Sequence, residues 1–276
     1  MPDGVAVTTI AAALNVAAAR IERLDAEVLL AHALGVERLA LLLDVGRVVD
    51  VAAFAGLVER RATGEPVAYI TGRREFWSLD LIVTPAVLIP RPDSETLIDA
   101  AVAHFAETSP AQIIDLGTGS GALLLAALSQ WPAAHGVGVD ASAAALDVAA
   151  TNAVRLGLGD RATFVCGDWA ADGRNTDGGY DLVLCNPPYV ADDEALPREV
   201  ADWEPHSALF AGPDGLADYR RLAPIIAARL AVGGVGCVEI GATQAQAVST
   251  LFAAAGLTVA LYHDLAGRPR VLVVTK

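Results

Sequence analysis

The chain has 276 residues, enough for a large core and for two domains. It carries 33 Asp and Glu against 19 Lys and Arg, a formal net charge of −14, which argues against a nucleic-acid partner unless a basic patch is local. No cationic leader precedes the first apolar run, the longest uncharged stretch is broken by five Gly and Pro residues between 117 and 136, and Cys166, Cys185 and Cys237 are widely spaced with no CxxC or His-rich cluster. A cytoplasmic monomer is expected, with no membrane span, metal site or disulfide framework, and with each cysteine a small core residue.

Up to about residue 75 the pattern is helical. Thr8 or Thr9 suits the cap of a helix running to Arg23. Asp25 suits the cap of "AEVLLAHAL", which Gly35 closes, and "VAAFAGLVERRATG" is a further amphipathic stretch. Arg20, Arg23, Arg38, Arg47, Arg60 and Arg61 are interleaved with acids, as on a solvated surface that contacts protein. "GRREFWSLDLIVT" then alternates like a short hairpin turning at Ser78 to Asp80, and "LIPRPDSETLIDAAVAHF" leads into a helix from Asp93 or Ser94. The division expected is a helical domain over 1–75, a hairpin and linker over 76–92 and an α/β domain over 93–276.

From Ala111 strands and helices alternate. "QIIDL", "GVGVD", "ATFVCGD", "YDLVLC" and "GGVGCVEIG" read as strands, with helices between most of them and two further strands, "LTVALYHD" and "RPRVLVVTK", at the end. Repeated strand–helix units imply a Rossmann-like, mostly parallel sheet covered on both faces, with ligands at the carboxyl ends of the strands.

Three of those strand ends carry acids. The first is Asp115, followed by the glycine loop Gly117, Thr118, Gly119, Ser120, Gly121, whose glycines let backbone approach a ligand closely. Asp140 lies 19 residues beyond Gly121, close to the spacing at which an acid reaches ribose hydroxyls. Asp168 ends the third strand beside Trp169. One acid and a glycine loop would suit a dinucleotide, but Asp115 disfavours a pyrophosphate and favours a cation. S-adenosylmethionine offers the matching parts: an ammonium for Asp115, a ribose for Asp140, and an adenine for Asp168 and Trp169.

The fourth strand ends in Asn186-Pro187-Pro188-Tyr189. Neither proline donates to a ladder, so the strand stops there, and each proline holds the residue before it out of the helical region. The corner is a stiff set of acceptors beside an aromatic ring.

With these motifs on the page, "DLGTGSGALLLA", "GVGVDAS", "GDW" and "NPPY" resemble the class I S-adenosylmethionine-dependent methyltransferases that modify planar nitrogens. "DAEVLLAHALG", "EPVAYITGRREFWSLDLIVTPAVLIPRPDSE", "EVADWEPHSALFAGPDGL", "VEIGATQAQAV" and "GRPRVLVV" extend the likeness over nearly the whole chain to the peptide chain release factor N5-glutamine methyltransferases, the PrmC/HemK family. Ser94 stands where Thr is usual in that family. The resemblance implies a seven-stranded methyltransferase sheet with one antiparallel C-terminal strand, and a glutamine substrate in the Gly-Gly-Gln loop of a release factor. At the Asn-Pro-Pro-Tyr corner, the Asn186 side-chain oxygen and the Pro187 carbonyl would accept the two N–H groups of the substrate amide, and Tyr189 would pack on its plane. An exocyclic base amine fits the same corner, so an RNA or DNA base methyltransferase stays open, as does methylation of a ribosomal-protein glutamine. A nicotinamide-dependent dehydrogenase and a binding module without catalysis are the readings of a different class. Arg91 reads as a linker anchor, and Glu239 as at least as structural as functional.

Overall fold

A computed structural model describes residues 7–169 and 179–276. They divide into two compact units, one holding the chain through Arg73 together with Leu196–Trp203, the other holding Arg74–Ala195 and Glu204–Lys276. The short inset at 196–203 gave no sign in the sequence that it belongs with the first unit.

The first unit opens with β1 (Val7–Thr9) and α1 (Ile10–Ala17), followed by α2 (Arg23–Leu34), α3 (Arg38–Leu43), β2 (Val48–Asp50), α4 (Ala52–Ala62) and α5 (Val67–Thr71). The Thr9 hydroxyl oxygen accepts the Ala12 amide and caps α1. The helix expected to reach Arg23 ends instead at Ala17, and Ile21 in the break packs on the unit's core with Leu14, Leu29, Leu30 and Phe54. Asp25 is not the cap of α2 but lies in its first turn, where it pairs with Arg61 at 2.6 Å. Gly35 closes α2 at φ 63°. The β1–β2 pair, α3 and α5 were not anticipated.

The second unit begins with the hairpin of β3 (Arg73–Phe76) and β4 (Leu79–Ile82). Its turn falls on Trp77 and Ser78, at φ 52° and 60°, a residue earlier than expected. Two positive φ values are what a two-residue hairpin turn requires, and the Trp77 amide is held by Glu95 Oε1 at 2.8 Å. Next come α6 (Glu95–His104), β5 (Gln112–Leu116), α7 (Ala122–Gln130), β6 (His135–Asp140), α8 (Ala143–Arg155), β7 (Ala162–Cys166) and β8 (Tyr180–Cys185). After α9 (Arg198–Ala201), which lies in the inset of the first unit, follow α10 (Ala217–Arg229), β9 (Leu230–Glu239), α11 (Ala245–Ala254), β10 (Thr258–His263) and β11 (Pro269–Thr275).

The sheet order is β10-β11-β9-β8-β5-β6-β7. β9, β8, β5, β6 and β7 run parallel, and β11 inserts antiparallel between β10 and β9. This is the Rossmann-like sheet expected. Its central strands are apolar on both faces: Ile113, Leu182 and Leu184 join the core that holds α7, while Ile114, Leu116 and Val183 join the one that holds α10 and α11. Cys185 and Cys237 are core residues as expected, but Cys166 is exposed, because β7 is an edge strand. No helix among the described residues is long and apolar enough to cross a membrane.

Candidate active site

The order reverses beside β5, and a cavity of about 720 Å³ opens at the carboxyl ends of the strands. That size lies within the range of about 300–1,000 Å³ usual for small-molecule sites.

The glycine loop is clipped to the end of β6. The Gly117 and Thr118 amides both donate to the Val139 carbonyl, at 2.8 and 3.0 Å. Gly117, Gly119 and Gly121 have φ of 82°, 55° and 82°, a region glycine enters without strain. At Gly121 a Cβ would meet Leu125 Cδ1 at 3.1 Å and Ala149 Cβ at 3.3 Å, so this glycine also lets α7 and α8 close together.

Beneath the loop Asp115 is fully buried. Its Oδ2 accepts the Thr118 hydroxyl at 2.7 Å, and Oδ1 has no partner. Burial pushes the carboxyl up to about 7, against the opposing hydrogen bond from Thr118. Thr118 can tuck in because β6 has glycine opposite it: a Cβ on Gly138 would come within 2.9 Å of the Thr118 side chain.

Asp140 braces the loop from the next strand. Its Oδ2 accepts the Gly119 amide at 2.9 Å and its Oδ1 the Ser142 amide at 2.8 Å. A pyrophosphate would therefore find the Gly119 amide taken and a carboxylate in its place. Further along, Asp168 accepts from Arg221 Nη2 at 2.5 Å, and that guanidinium sits over the Trp169 ring, 5.1 Å from its centroid.

The Asn186–Tyr189 corner is held from behind. The Tyr189 and Val190 amides donate to the Leu209 carbonyl, and Gln244 Nε2 donates to the Tyr189 and Gly215 carbonyls at 2.9 and 3.2 Å. Gly215 must be glycine, since a Cβ there would lie 2.4 Å from the Tyr189 oxygen. Asn186 Nδ2 donates to the buried Ser94 Oγ at 3.3 Å. The Glu239 carboxyl is 1% exposed and its Oε2 has no hydrogen-bond partner. Burial pushes Glu239 up to about 7 and the Tyr189 phenol up to about 12.

The cavity wall brings together Gly117, Thr118, Gly119, Ser120, Asp140, Asp168, Trp169, Asn186 and Pro188. Asp115, Gly121, Pro187 and Tyr189 do not line it. The stacking face expected of Tyr189 is therefore not part of this wall. Arg91 pairs with the buried Glu204, whose Oε2 also accepts the Ile89 amide at 3.1 Å, so it anchors the approach to α6.

Sequence reasoning passed over Asn152. It is fully buried on α8, accepts the Ile82 amide at 2.7 Å and donates to the Ile82 and Ser120 carbonyls at 3.0 and 2.9 Å. It thereby ties β4 to the glycine loop. The signal was present: an Asn on the apolar face that includes Ala145, Val148, Ala149 and Ala153. Gln244 carries no comparable local signal.

Comparison with known proteins agrees with this geometry. Residues 6–72 match a PrmC N-terminal domain, and residues 94–202 a methyltransferase small domain. A release factor glutamine methyltransferase of Bradyrhizobium diazoefficiens is 44% identical over 97% of this chain and 93% of its own. One of Caulobacter vibrioides is 45% identical over 92% of this chain and 89% of its own. The chain belongs to the release factor glutamine methyltransferase family. Like other members of that family, it is a methyltransferase. Among solved structures, a ribosomal protein L11 methylase from Lactobacillus delbrueckii subsp. bulgaricus shares the fold, with a TM-score of 0.50 at 19% identity, over 70% of this chain and 83% of that one.

Proposed function

We propose that this chain methylates N5 of the glutamine in the Gly-Gly-Gln loop of a peptide chain release factor, using S-adenosylmethionine and leaving S-adenosylhomocysteine. The observation that carries the reading is the Asn186 amide, tied through Nδ2 to Ser94 at the wall of a cavity whose other side holds the glycine loop and Asp140. The residues fit the cofactor. Asp140 and Asp168 suit a ribose diol and an adenine amine, Trp169 offers a ring, and the orphaned Asp115 Oδ1 sits under a loop that a cation, not a phosphate, would neutralise. Bound there, S-adenosylmethionine supplies an electrophilic methyl group.

The chain's own part is to hold the acceptor. An amide nitrogen is a weak nucleophile because its lone pair is shared with the carbonyl. The Asn186 oxygen and the Pro187 carbonyl take its two N–H groups and turn its remaining face to the methyl donor, so the contribution is positioning and electrostatics rather than a strong base.

Residues 1–75 are read as the docking part, 76–92 as the hairpin linker and 93–276 as the transferase. Leu24, Leu39, Leu43 and Val48 in the first unit are more than half exposed, while Arg20, Arg23, Arg38, Arg60 and Arg61 are engaged in ion pairs. An apolar, charge-balanced surface suits a protein partner better than a nucleic acid. The enzyme is read as a cytoplasmic monomer. The test is peptide mass spectrometry of a purified release factor after incubation with enzyme and S-adenosylmethionine. A methyl group on that glutamine is expected, and methyl label on RNA instead would transfer the assignment to a base methyltransferase.

A further inference from the structure

The far end of the Asn186–Tyr189 corner is seated on one side chain. Gln244, the residue before α11, donates from Nε2 to the Tyr189 carbonyl at 2.9 Å and to the Gly215 carbonyl at 3.2 Å, and its Oε1 accepts the Gly241 amide at 3.1 Å. It thus joins three stretches of loop: the corner after β8, the approach to α10 and the turn that leaves β9. Two glycines make room for it. A Cβ on Gly215 would lie 2.8 Å from Gln244 Nε2, and a Cβ on Gly241 would lie 2.8 Å from Gln244 Oε1. The φ of 66° at Gly215 favours glycine in any case. Gly241 has no positive φ, so the close approach of Gln244 is what its missing side chain serves.

Every bond of this amide has one direction. The Gly241 N–H can only donate, and the Tyr189 and Gly215 carbonyls can only accept. One orientation of the Gln244 amide satisfies all three, and half a turn would oppose like to like at all three. The clamp acts on a piece of chain that cannot tie itself down with N–H groups, because Pro187 and Pro188 have none. The corner is held at its start, where Asn186 Nδ2 donates to Ser94 Oγ at 3.3 Å. It is held at its end, where the Tyr189 amide donates to the Leu209 carbonyl at 3.2 Å and the Tyr189 carbonyl accepts Gln244. The Pro187 carbonyl lies between these two points.

We propose that Gln244 is a positioning residue for methyl transfer: by holding the Tyr189 carbonyl it sets where the Asn186 and Pro187 acceptors stand against the methyl donor. This rests on the corner accepting the substrate amide. Gln244 is not among the residues that line the cavity, so it acts through the backbone it holds. A displacement of the corner by about 1 Å is enough to cost on the order of 100-fold in rate.

The test uses the full-length enzyme with a purified release factor and S-adenosylmethionine, reading kcat, the KM for release factor, cofactor affinity by calorimetry, and urea unfolding. Gln244→Glu keeps the length of the side chain and an oxygen for the Gly241 amide, but sets its second oxygen against the Tyr189 and Gly215 carbonyls. At about pH 8 kcat should fall on the order of 10–100-fold, the scale of a misplaced reacting group. KM and cofactor affinity should stay within about twofold, because neither ligand loses a contact. Two facing carbonyls disfavour the anion, so the introduced carboxyl takes up a proton as pH falls and can then donate to the Tyr189 oxygen. The ratio of variant to wild-type kcat, taken at each pH, should therefore climb several-fold between about pH 8 and pH 6. Gln244→Met fills the same socket without donor or acceptor and should stay low at every pH; it also carries the comparison of kcat with KM if Gln244→Glu does not fold at the higher pH. A role in stability alone would lower the urea midpoint of the variants and leave the kcat of the folded enzyme at the wild-type value, which overturns the proposal. So does a Gln244→Glu deficit that does not shrink at low pH, or a loss confined to KM or cofactor affinity. Asn186→Ala separates the two levels. If it is inactive while both Gln244 variants are fully active, only the clamp is wrong; if it transfers methyl at the wild-type rate, the acceptor role of the corner itself is wrong.

Discussion

Replacing Asp140 by Ala should weaken two things that can be measured apart. In the free enzyme its carboxylate accepts the Gly119 and Ser142 amides at 2.9 and 2.8 Å. Bonds to a charged acceptor are worth about 1.5–3 kcal/mol each when buried, but Asp140 is half-exposed and water can replace it at both amides. A loss of about 1–3 kcal/mol in stability is therefore expected, read by urea unfolding without ligand. In the complex the same carboxylate would also accept ribose hydroxyls, so the affinity for S-adenosylmethionine should fall by a further 1–3 kcal/mol, about 5–150-fold, read by calorimetry. Asp140→Asn keeps one acceptor oxygen and should give intermediate values in both assays. If Asp140→Ala binds S-adenosylmethionine with unchanged affinity, the ribose assignment fails. If its unfolding curve is unchanged, the loop does not depend on this brace. Tight binding of a nicotinamide cofactor by the wild type would refute the reasoning at its root.

Three further outcomes are expected. Asn152→Ala strands the Ile82 amide and the Ile82 and Ser120 carbonyls, which should cost about 2–4 kcal/mol in urea unfolding and also lower cofactor affinity, since the glycine loop loses its tie to β4; an unfolding midpoint equal to that of the wild type counts against the tie. Leu39→Asp with Leu43→Asp alters two side chains that are 69% and 79% exposed, so it should raise the KM for release factor several-fold and leave cofactor affinity alone; an unchanged KM moves the docking surface elsewhere. Glu239 has its carboxyl raised by burial from the ordinary 4.5 to about 7, so the folded state holds a proton there that the unfolded chain releases. Its contribution to stability is full below about 4.5 and is lost as pH rises through about 7, so Glu239→Gln should flatten the fall in unfolding free energy across that window, and an identical slope in wild type and variant would rule Glu239 out as its source.

How far the sequence reaches depends on how local each signal is. The strand–helix alternation, the loop of Gly117, Gly119 and Gly121 and the acids at successive strand ends are set by neighbours in the chain, and the fold follows from them. The end of α1 at Ala17 was not legible, because the Ala-rich pattern continues through it. The three-residue strands of the β1–β2 pair are too short to show a period. Side-chain direction was harder still. Tyr189 was expected to face the cavity, but it is not among the residues that line it. Likewise the partner of Asp168 is Arg221, 53 residues away.

Asp115 and Glu239 show what kind of residue such reasoning misreads. Both are buried carboxyls near the ends of parallel strands, β5 and β9, both have an oxygen without a partner, and burial raises both to about 7. A fold selected for stability alone would replace such groups with apolar residues of similar volume, often at no loss. Thr118 under the glycine loop gives its hydroxyl to Asp115 at 2.7 Å. Asp115 lies beneath the glycine loop, where the proposed reaction needs a negative field for a cationic methyl donor.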